Sequence, residues 1–166
     1  ATDSIYITTP YLIIDYDLTE SIKNAAMRGV DVRIVTPFIP DKKLIQLITR
    51  GAYPDLLLAG VRIFEYSPGF IHSKQMLVDS DFASVGTINL DYRSLLHHYE
   101  NAVLLYKTES IAEIQEDFEM KWNNEMRWNE MMKWWNNEMK MKWKWWDEKK
   151  WWDEMMKWWD EIKWDE

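Results

Sequence analysis

The sequence predicts an α/β domain in which a mainly parallel or mixed sheet is flanked by helices. Three observations support this prediction. Short β-branched segments alternate with amphipathic ones, Gly and Pro residues separate them, and 166 residues are enough for one domain with its own core. Successive strand, helix and strand units favour right-handed crossovers, and hence parallel neighbouring strands.

The predicted elements follow in order along the first two thirds of the chain. The strands are short and rich in β-branched or apolar residues, and we predict them at residues 4–8, 30–35, 61–66, 72–79, 82–85 and 100–106. A first helix should begin near Asp17 or Thr19, because Asp17 and Glu20 imitate a capping box, and it should end at Gly29. Asp41 should cap a second helix.

Residues 69–89 carry the most informative pattern of the chain. The spacing H-x-K-x-x-x-x-D is followed by G-T-x-N, and the residues are His72, Lys74, Asp79, Gly86, Thr87 and Asn89. Alternate side chains of a strand share a face, so His72 and Lys74 should project together. A neutral imidazole can attack phosphorus, while the Lys74 ammonium and the Asn89 amide can donate hydrogen bonds to the non-bridging oxygens. The spacing predicts phosphoryl chemistry without a metal.

This motif is typical of the phospholipase D superfamily, and its flanks resemble the carboxy-terminal catalytic half of bacterial cardiolipin synthases. The flanking segments are SIYITTPYL, RGVDVRIVTP, NLDYRSL and ENAVLLY. The resemblance covers residues 1–119, which we interpret as a catalytic half-domain. It implies that Glu100 accepts a hydrogen bond from His72 and orients it, as a carboxylate does when it stabilises an imidazolium. It also implies that Asp79 supports the motif loop rather than entering the reaction.

The resemblance further implies a reaction and its partners. Enzymes of this superfamily bring two motif copies together: one His forms a phosphohistidine, and the other protonates the leaving alcohol. In cardiolipin synthases, the donor is phosphatidylglycerol, the acceptor is a second lipid alcohol, and glycerol is released. This chain has one copy, so either a second chain or a missing amino-terminal half would complete the site. The natural relatives act at the cytoplasmic face of the bacterial inner membrane.

Several further side chains have more than one interpretation. Arg93 could support the motif loop, bind an anionic headgroup, or form a surface salt bridge. We assign supporting roles to Gly86 and Thr87 within the G-T-x-N segment. Phe70 and Tyr11 could line an apolar groove outside the strand ends, or simply pack in the core.

Composition narrows the function classes. The formal charge is −8 and the Lys and Arg residues form no basic cluster, which disfavours nucleic acid as a ligand. Without cysteine, the chain has neither disulfides nor thiolate metal sites, and we predict no metal or other cofactor. No apolar run approaches the roughly 18 residues that span a bilayer. We therefore expect a soluble or peripheral protein for which a membrane surface is one candidate partner.

Residues 120–166 differ in composition from the preceding domain. All 12 Trp residues lie there, among Met, Lys, Asn, Asp and Glu, and Trp pairs recur seven residues apart. This low-complexity segment is predicted to be a long helix. It could lie at a membrane interface, pack on the sheet or on a second chain, or be an artificial sequence without a selected function.

Three functions fit these observations. The first is a phosphatidyltransferase of the cardiolipin synthase type, incomplete with one motif copy. The second is a homodimeric phosphodiesterase or nuclease, which the acidic charge balance disfavours. The third is a non-catalytic folded fragment or designed chimera that retains the lineage without the activity.

Overall fold

The computed structural model describes residues 1–123, so the predicted tail helix beyond that point lies outside the described residues. The first half contains β1 (Ser4–Thr8), β2 (Leu12–Ile13), α1 (Tyr16–Met27), β3 (Asp31–Pro37), α2 (Lys43–Gly51) and α3 (Tyr53–Leu58). The second half contains β4 (Arg62–Tyr66), β5 (Gln75–Val78), β6 (Phe82–Gly86), β7 (Leu90–Asp91), a π-helical turn (Arg93–His97), β8 (Ala102–Tyr106) and α4 (Ser110–Asn123). None of the helices in this part of the chain is long and apolar enough to cross a membrane.

The main sheet is mixed, with six strands in the order β4-β3-β1-β5-β6-β8. The strands β4, β3 and β1 are parallel, whereas β5 runs antiparallel to β1, β6 to β5, and β8 to β6. The mixed form of the predicted sheet is therefore confirmed, with a parallel first half and an antiparallel second half. No helix lies between Tyr66 and Gln75, and a parallel neighbour would need a crossover connection of a dozen residues or more.

The sheet separates two hydrophobic clusters. Alternate residues of β1 point to opposite faces, so Ile7 packs in one cluster and Tyr6 in the other. The larger cluster includes residues of α1 and α3, and the smaller one includes Ile111 and Phe118 of α4. Helices on both faces confirm the predicted architecture of a sheet flanked by helices.

Two predicted helix starts are displaced in the structure. Asp15, rather than Asp17, caps α1, because its side chain accepts a hydrogen bond of 2.8 Å from the Leu18 amide. Asp41 does not cap α2, whose N-cap residue is Lys42 and lacks a side-chain capping bond. The predicted end of the first helix is confirmed: α1 stops at Met27, and Gly29 adopts a φ of 92° that favours glycine.

The strands that flank the motif are shorter than predicted. Strand β5 begins at Gln75 rather than His72, so His72 and Lys74 precede the strand instead of sharing one of its faces. The Lys74 carbonyl nevertheless accepts a hydrogen bond of 3.2 Å from the Gly86 amide, which extends the pairing by one residue. Strand β8 likewise begins at Ala102, two residues after Glu100.

Asp79 anchors the amino terminus of the domain. Its carboxylate accepts hydrogen bonds of 2.8 to 2.9 Å from the amides of Thr2, Asp3 and Ser4, immediately before and at the start of β1. These donors, that of Ser4 foremost, hold the pKa of Asp79 well below its ordinary value. Asp79 therefore fastens β1 to the end of β5.

We expect Asp79→Asn to lower the stability of the domain in a pH-dependent way. Because the folded-state pKa is depressed, the carboxylate stabilises the fold above its unfolded pKa, about 3.9, and this stabilisation disappears as the pH falls through the folded-state value. Urea denaturation should show a clear gap between wild type and variant at neutral pH, and a smaller gap in acid. Asp81→Asn, at an exposed neighbour of Lys107, is the control. Equal behaviour of the two variants would contradict this role.

Candidate active site

The residues of the predicted site gather at one edge of the sheet. The parallel strands β4, β3 and β1 all end there, and the antiparallel register places Gln75, the first residue of β5, opposite Thr8, the last residue of β1. Residues just before β5, just after β6 and just before β8 consequently meet at this edge. They are His72, Lys74, Thr87, Asn89 and Glu100.

His72 is exposed beside a cleft of about 470 Å³. Its ring lies 5.5 Å from that of Phe70, centroid to centroid. The cleft is lined by Tyr66, Phe70, Ile71, His72, Ser73, Asp117, Met120 and Lys121. The groove interpretation therefore applies to Phe70, whereas Tyr11 is not among the lining residues and donates a hydrogen bond of 2.6 Å to Asp41. Burial, followed by this contact, raises the pKa of Tyr11 to about 12.

Lys74 lies directly against the motif backbone. Its ammonium donates a hydrogen bond of 2.7 Å to the carbonyl of His72. Burial lowers the pKa of Lys74, and the nearby carboxylates of Glu100 and Asp91 oppose that change. The ammonium is thus partly desolvated, a condition that strengthens its interaction with an anionic substrate.

Glu100 is held by hydroxyl groups. Its two oxygens accept hydrogen bonds of 2.5 Å from Thr87 and 2.7 Å from Ser94, and these bonds, that of Thr87 first, lower the pKa of the carboxyl group. The imidazole that lies nearest belongs to His98, whose Nδ1 is 3.6 Å away. Within residues 1–123, the bonds of Glu100 do not include one to His72, so the orienting role remains a prediction.

Arg93 supports the same loop through an imidazole. Its guanidinium donates a hydrogen bond of 2.8 Å to Nε2 of His98, which leaves Nδ1 of that ring to carry the proton facing Glu100. This arrangement favours the loop-supporting interpretation of Arg93 over a surface salt bridge. Sequence reasoning missed Ser94, although the spacing Asp91-x-x-Ser94 is a local signal: Asp91 accepts a hydrogen bond of 2.7 Å from the Ser94 amide.

Asn89 is positioned by its backbone. Its backbone N–H donates a hydrogen bond of 2.9 Å to the Ser94 hydroxyl, and this hydroxyl in turn donates to Glu100. The Asn89 Oδ1 atom and the Ser73 hydroxyl are two of the three side-chain atoms that are buried without a hydrogen-bond partner among the described residues, the third being Thr8 Oγ1. Buried polar atoms of this kind cost free energy unless a bound group satisfies them. Ser73 lies between His72 and Lys74 in sequence, and Asn89 lies at the same edge of the sheet, so these atoms are placed to bind a polar ligand.

Gly86 and Thr87 extend the pairing between β6 and β8 at its end. The Thr87 amide donates to the Asn101 carbonyl at 2.9 Å, and the Asn101 amide donates to the Thr87 hydroxyl at 3.0 Å. A Cβ atom on Gly86 would lie 2.2 Å from the Asn101 carbonyl oxygen and 2.6 Å from the Cα of Ala102. Gly86 is therefore required for the close approach of two backbones.

Comparison with known proteins identifies the family. Residues 1–122 match the family model described as cardiolipin synthase, PLD-like domain, where PLD denotes phospholipase D. The chain belongs to this family. The predicted resemblance to the phospholipase D superfamily is thereby confirmed.

The relatives of this PLD-like domain are much longer than the matched segment. This chain is 50% identical over 118 residues to an uncharacterised protein of Streptococcus mutans, and the match covers 71% of this chain and 26% of that protein. Cardiolipin synthase 2 of Bacillus anthracis is 48% identical over 118 residues, with 71% and 23% covered. The chain thus spans about a quarter of the length of these relatives.

Solved structures support the fold of the PLD-like domain. The phospholipase D family member Nuc from Salmonella typhimurium has a TM-score of 0.66 at 23% identity, covering 75% of this chain and 81% of that one. Phosphatidylserine synthase from Haemophilus influenzae has a TM-score of 0.54 at 20% identity, covering 69% and 31%. At these identities, the similarity establishes a common fold.

We expect Gly86→Ala to destabilise the PLD-like domain by roughly 1 to 3 kcal/mol, because the added methyl group would displace the backbone of β8. Urea denaturation measures this change through the midpoint. Gly69→Ala is the matched control, since a Cβ at that position meets no atom within 4 Å. Equal midpoints for the two variants would show that β6 and β8 separate without cost.

Proposed function

We propose that the chain forms one half of a phosphatidyltransferase site of the cardiolipin synthase type. The observation that carries this proposal is the exposed imidazole of His72 beside a partly apolar cleft, with the Lys74 ammonium at the same sheet edge. Family membership supports it, as do the names of relatives such as cardiolipin synthase 2 of Bacillus anthracis. Phe70, Ile71 and Met120 supply apolar surface next to the reacting group.

In the first step, the proposed nucleophile is a neutral nitrogen of His72. It attacks the phosphorus of phosphatidylglycerol, a P–N bond forms, and the P–O bond to the terminal glycerol breaks. An acid supplies a proton to the departing glycerol oxygen. In the second step, the group that acted as the acid now acts as a base and takes the proton from the hydroxyl group of another phosphatidylglycerol. The hydroxyl oxygen attacks phosphorus, the P–N bond breaks, and cardiolipin forms.

The neighbouring side chains would stabilise charge during these steps. The Lys74 ammonium and the side-chain amide of Asn89 donate hydrogen bonds to the non-bridging oxygens of the phosphate as negative charge grows there. Glu100, kept ionised by its hydroxyl donors, accepts a hydrogen bond from the imidazole N–H of His72 and stabilises the positive ring. Arg93 and Thr87 maintain the loop that carries this carboxylate.

The acid that protonates glycerol must come from outside one motif. His72 is bonded to phosphorus when the leaving group departs, so it cannot serve as the acid in the same step. We propose that a second motif copy supplies it, either from another chain about a two-fold axis or from an amino-terminal half. The short span of this chain relative to its relatives supports such a division. The proposed location is the surface of a membrane that contains the lipid substrate.

The decisive test is trapping of the phosphohistidine. The full chain is incubated with phosphatidylglycerol labelled in its phosphate and dispersed in detergent micelles, then denatured in alkali, where a P–N bond survives. We expect label on the wild-type chain and none on His72→Ala, with turnover reduced on the order of a thousandfold or more. His97→Ala, at an exposed histidine of the π-helical turn, is the control and should retain label.

Each other result favours a different function. A folded chain that takes up no label would overturn the transferase proposal and leave the non-catalytic fragment or chimera, whereas label without turnover would favour an acid from an amino-terminal half. Cleavage of single-stranded DNA in chelator, abolished by His72→Ala and without lipid turnover, would instead support the phosphodiesterase or nuclease.

If two identical chains form the complete site, activity per chain should rise with protein concentration, because each site needs two imidazoles. An excess of His72→Ala chain should suppress wild-type turnover by forming mixed dimers with one imidazole. The same excess of a His97→Ala chain should not suppress it. Constant activity per chain, with no suppression, would contradict completion by a second copy.

A further inference from the structure

Helix α2 turns its apolar side outward. Leu44, Leu47 and Ile48 are 67%, 51% and 48% exposed, and their spacing places them in one stripe along the helix. The opposite side carries Gln46 and Thr49, which are buried. An ordinary surface helix has the reverse arrangement, so the α2 stripe (Leu44, Leu47 and Ile48) requires an explanation.

Polar contacts hold the helix in this orientation. Gln46 donates a hydrogen bond of 2.7 Å to the Pro37 carbonyl. Arg50 donates two hydrogen bonds of 2.8 Å to Glu65, whose side chain is buried in the domain. Rotation of α2 to bury its stripe would leave the carboxylate of Glu65 without its partner, at a large cost in free energy. The outward stripe is therefore built into the fold.

The amino-terminal end of α2 is positively charged. Lys42 and Lys43 are exposed there, and within residues 1–123 neither forms an ion pair. The first turn has no acidic residue, so these lysines reinforce the positive end of the helix dipole instead of compensating it. The nearest acid in sequence, Asp41, accepts a hydrogen bond from Tyr11. An anionic surface would satisfy this charge.

The same end of α2 lies on the edge of the sheet that carries His72. Helix α2 follows β3, which ends at this edge beside β1 and β4. It also packs against β2, and β2 pairs with β7, which begins immediately after Asn89. A surface that contacts α2 would thus lie near the candidate active site.

We propose that the α2 stripe, with Lys42 and Lys43, docks the domain onto a bilayer that contains anionic phospholipid. This inference rests on the proposed function, in which the substrate is itself an anionic phospholipid, phosphatidylglycerol. An apolar stripe with lysines at its border is the chemistry of an interfacial helix. A second copy of the same surface fits less well, because α2 has no acidic side chain that could pair with the lysines of a facing α2.

The test uses the absence of cysteine from the full chain, so that one engineered thiol can carry an environment-sensitive fluorophore. Leu47→Cys reports on the stripe, and Leu58→Cys, 88% exposed at the end of α3, is the control. Both carry His72→Ala, so docking is measured without turnover. Vesicles of phosphatidylcholine containing phosphatidylglycerol should shift the emission of the label at position 47 to shorter wavelength and protect it from an aqueous quencher. The label at position 58 should be unaffected.

Charge variants test the other half of the surface. Lys42→Gln with Lys43→Gln should weaken partitioning onto these vesicles on the order of tenfold, whereas Arg28→Gln with Lys107→Gln removes the same charge elsewhere and should change it little. High salt or vesicles of phosphatidylcholine alone should also weaken the response at position 47.

Three results would overturn the proposal: no response at position 47, equal responses at positions 47 and 58, or protection at position 47 without vesicles. The last would indicate a protein contact on the stripe. Turnover and phosphohistidine formation are assayed in detergent micelles, which do not require docking on a bilayer. A negative docking result therefore overturns this inference without overturning the proposed function.

Discussion

The antiparallel pairing of β5 with β1 is the constraint on which the candidate site depends. It places the start of β5 beside Thr8, at the edge where the three parallel strands end. Strand β6 then returns to this edge, and β8 leaves from it. The connection between them therefore carries Asn89 and Glu100 to the same edge as His72 and Lys74. A parallel β5 would reverse this relation, leaving the motif histidine at the opposite edge.

The two carboxylates predicted beside the motif illustrate how position on the sheet decides their roles. Asp79 and Glu100 both have lowered pKa values, and in both cases hydrogen-bond donors are the main cause. The donors of Asp79 are backbone amides at the start of β1, so its charge stabilises the fold. The donors of Glu100 are hydroxyl groups at the site edge, within electrostatic range of Lys74. A lowered pKa alone would not have separated these roles.

The inverted helix α2 shows a comparable division between stability and function. A network around the buried Glu65 holds Gln46 and Arg50 on the inner side of α2, and Tyr53 at the start of α3 completes it. Hydrophobic burial alone would favour the opposite orientation, with Leu44 and Leu47 inside. An unpaired buried carboxylate is costly, and the bonds to Glu65 oppose rotation to that orientation, so the apolar stripe remains available for a partner.

The sequence by itself determined most of the helices and strands and the family to which the motif belongs, because strand and helix periodicity and the spacing of His72 and Lys74 are local properties. It could not determine the direction of β5, the displaced caps of α1 and α2, or the partners of Glu100. Those depend on strand pairing and on hydroxyl groups brought together across the fold, and single-chain patterns do not record such distances. Only the tertiary structure could decide that Thr87, 13 residues earlier, bonds this carboxylate.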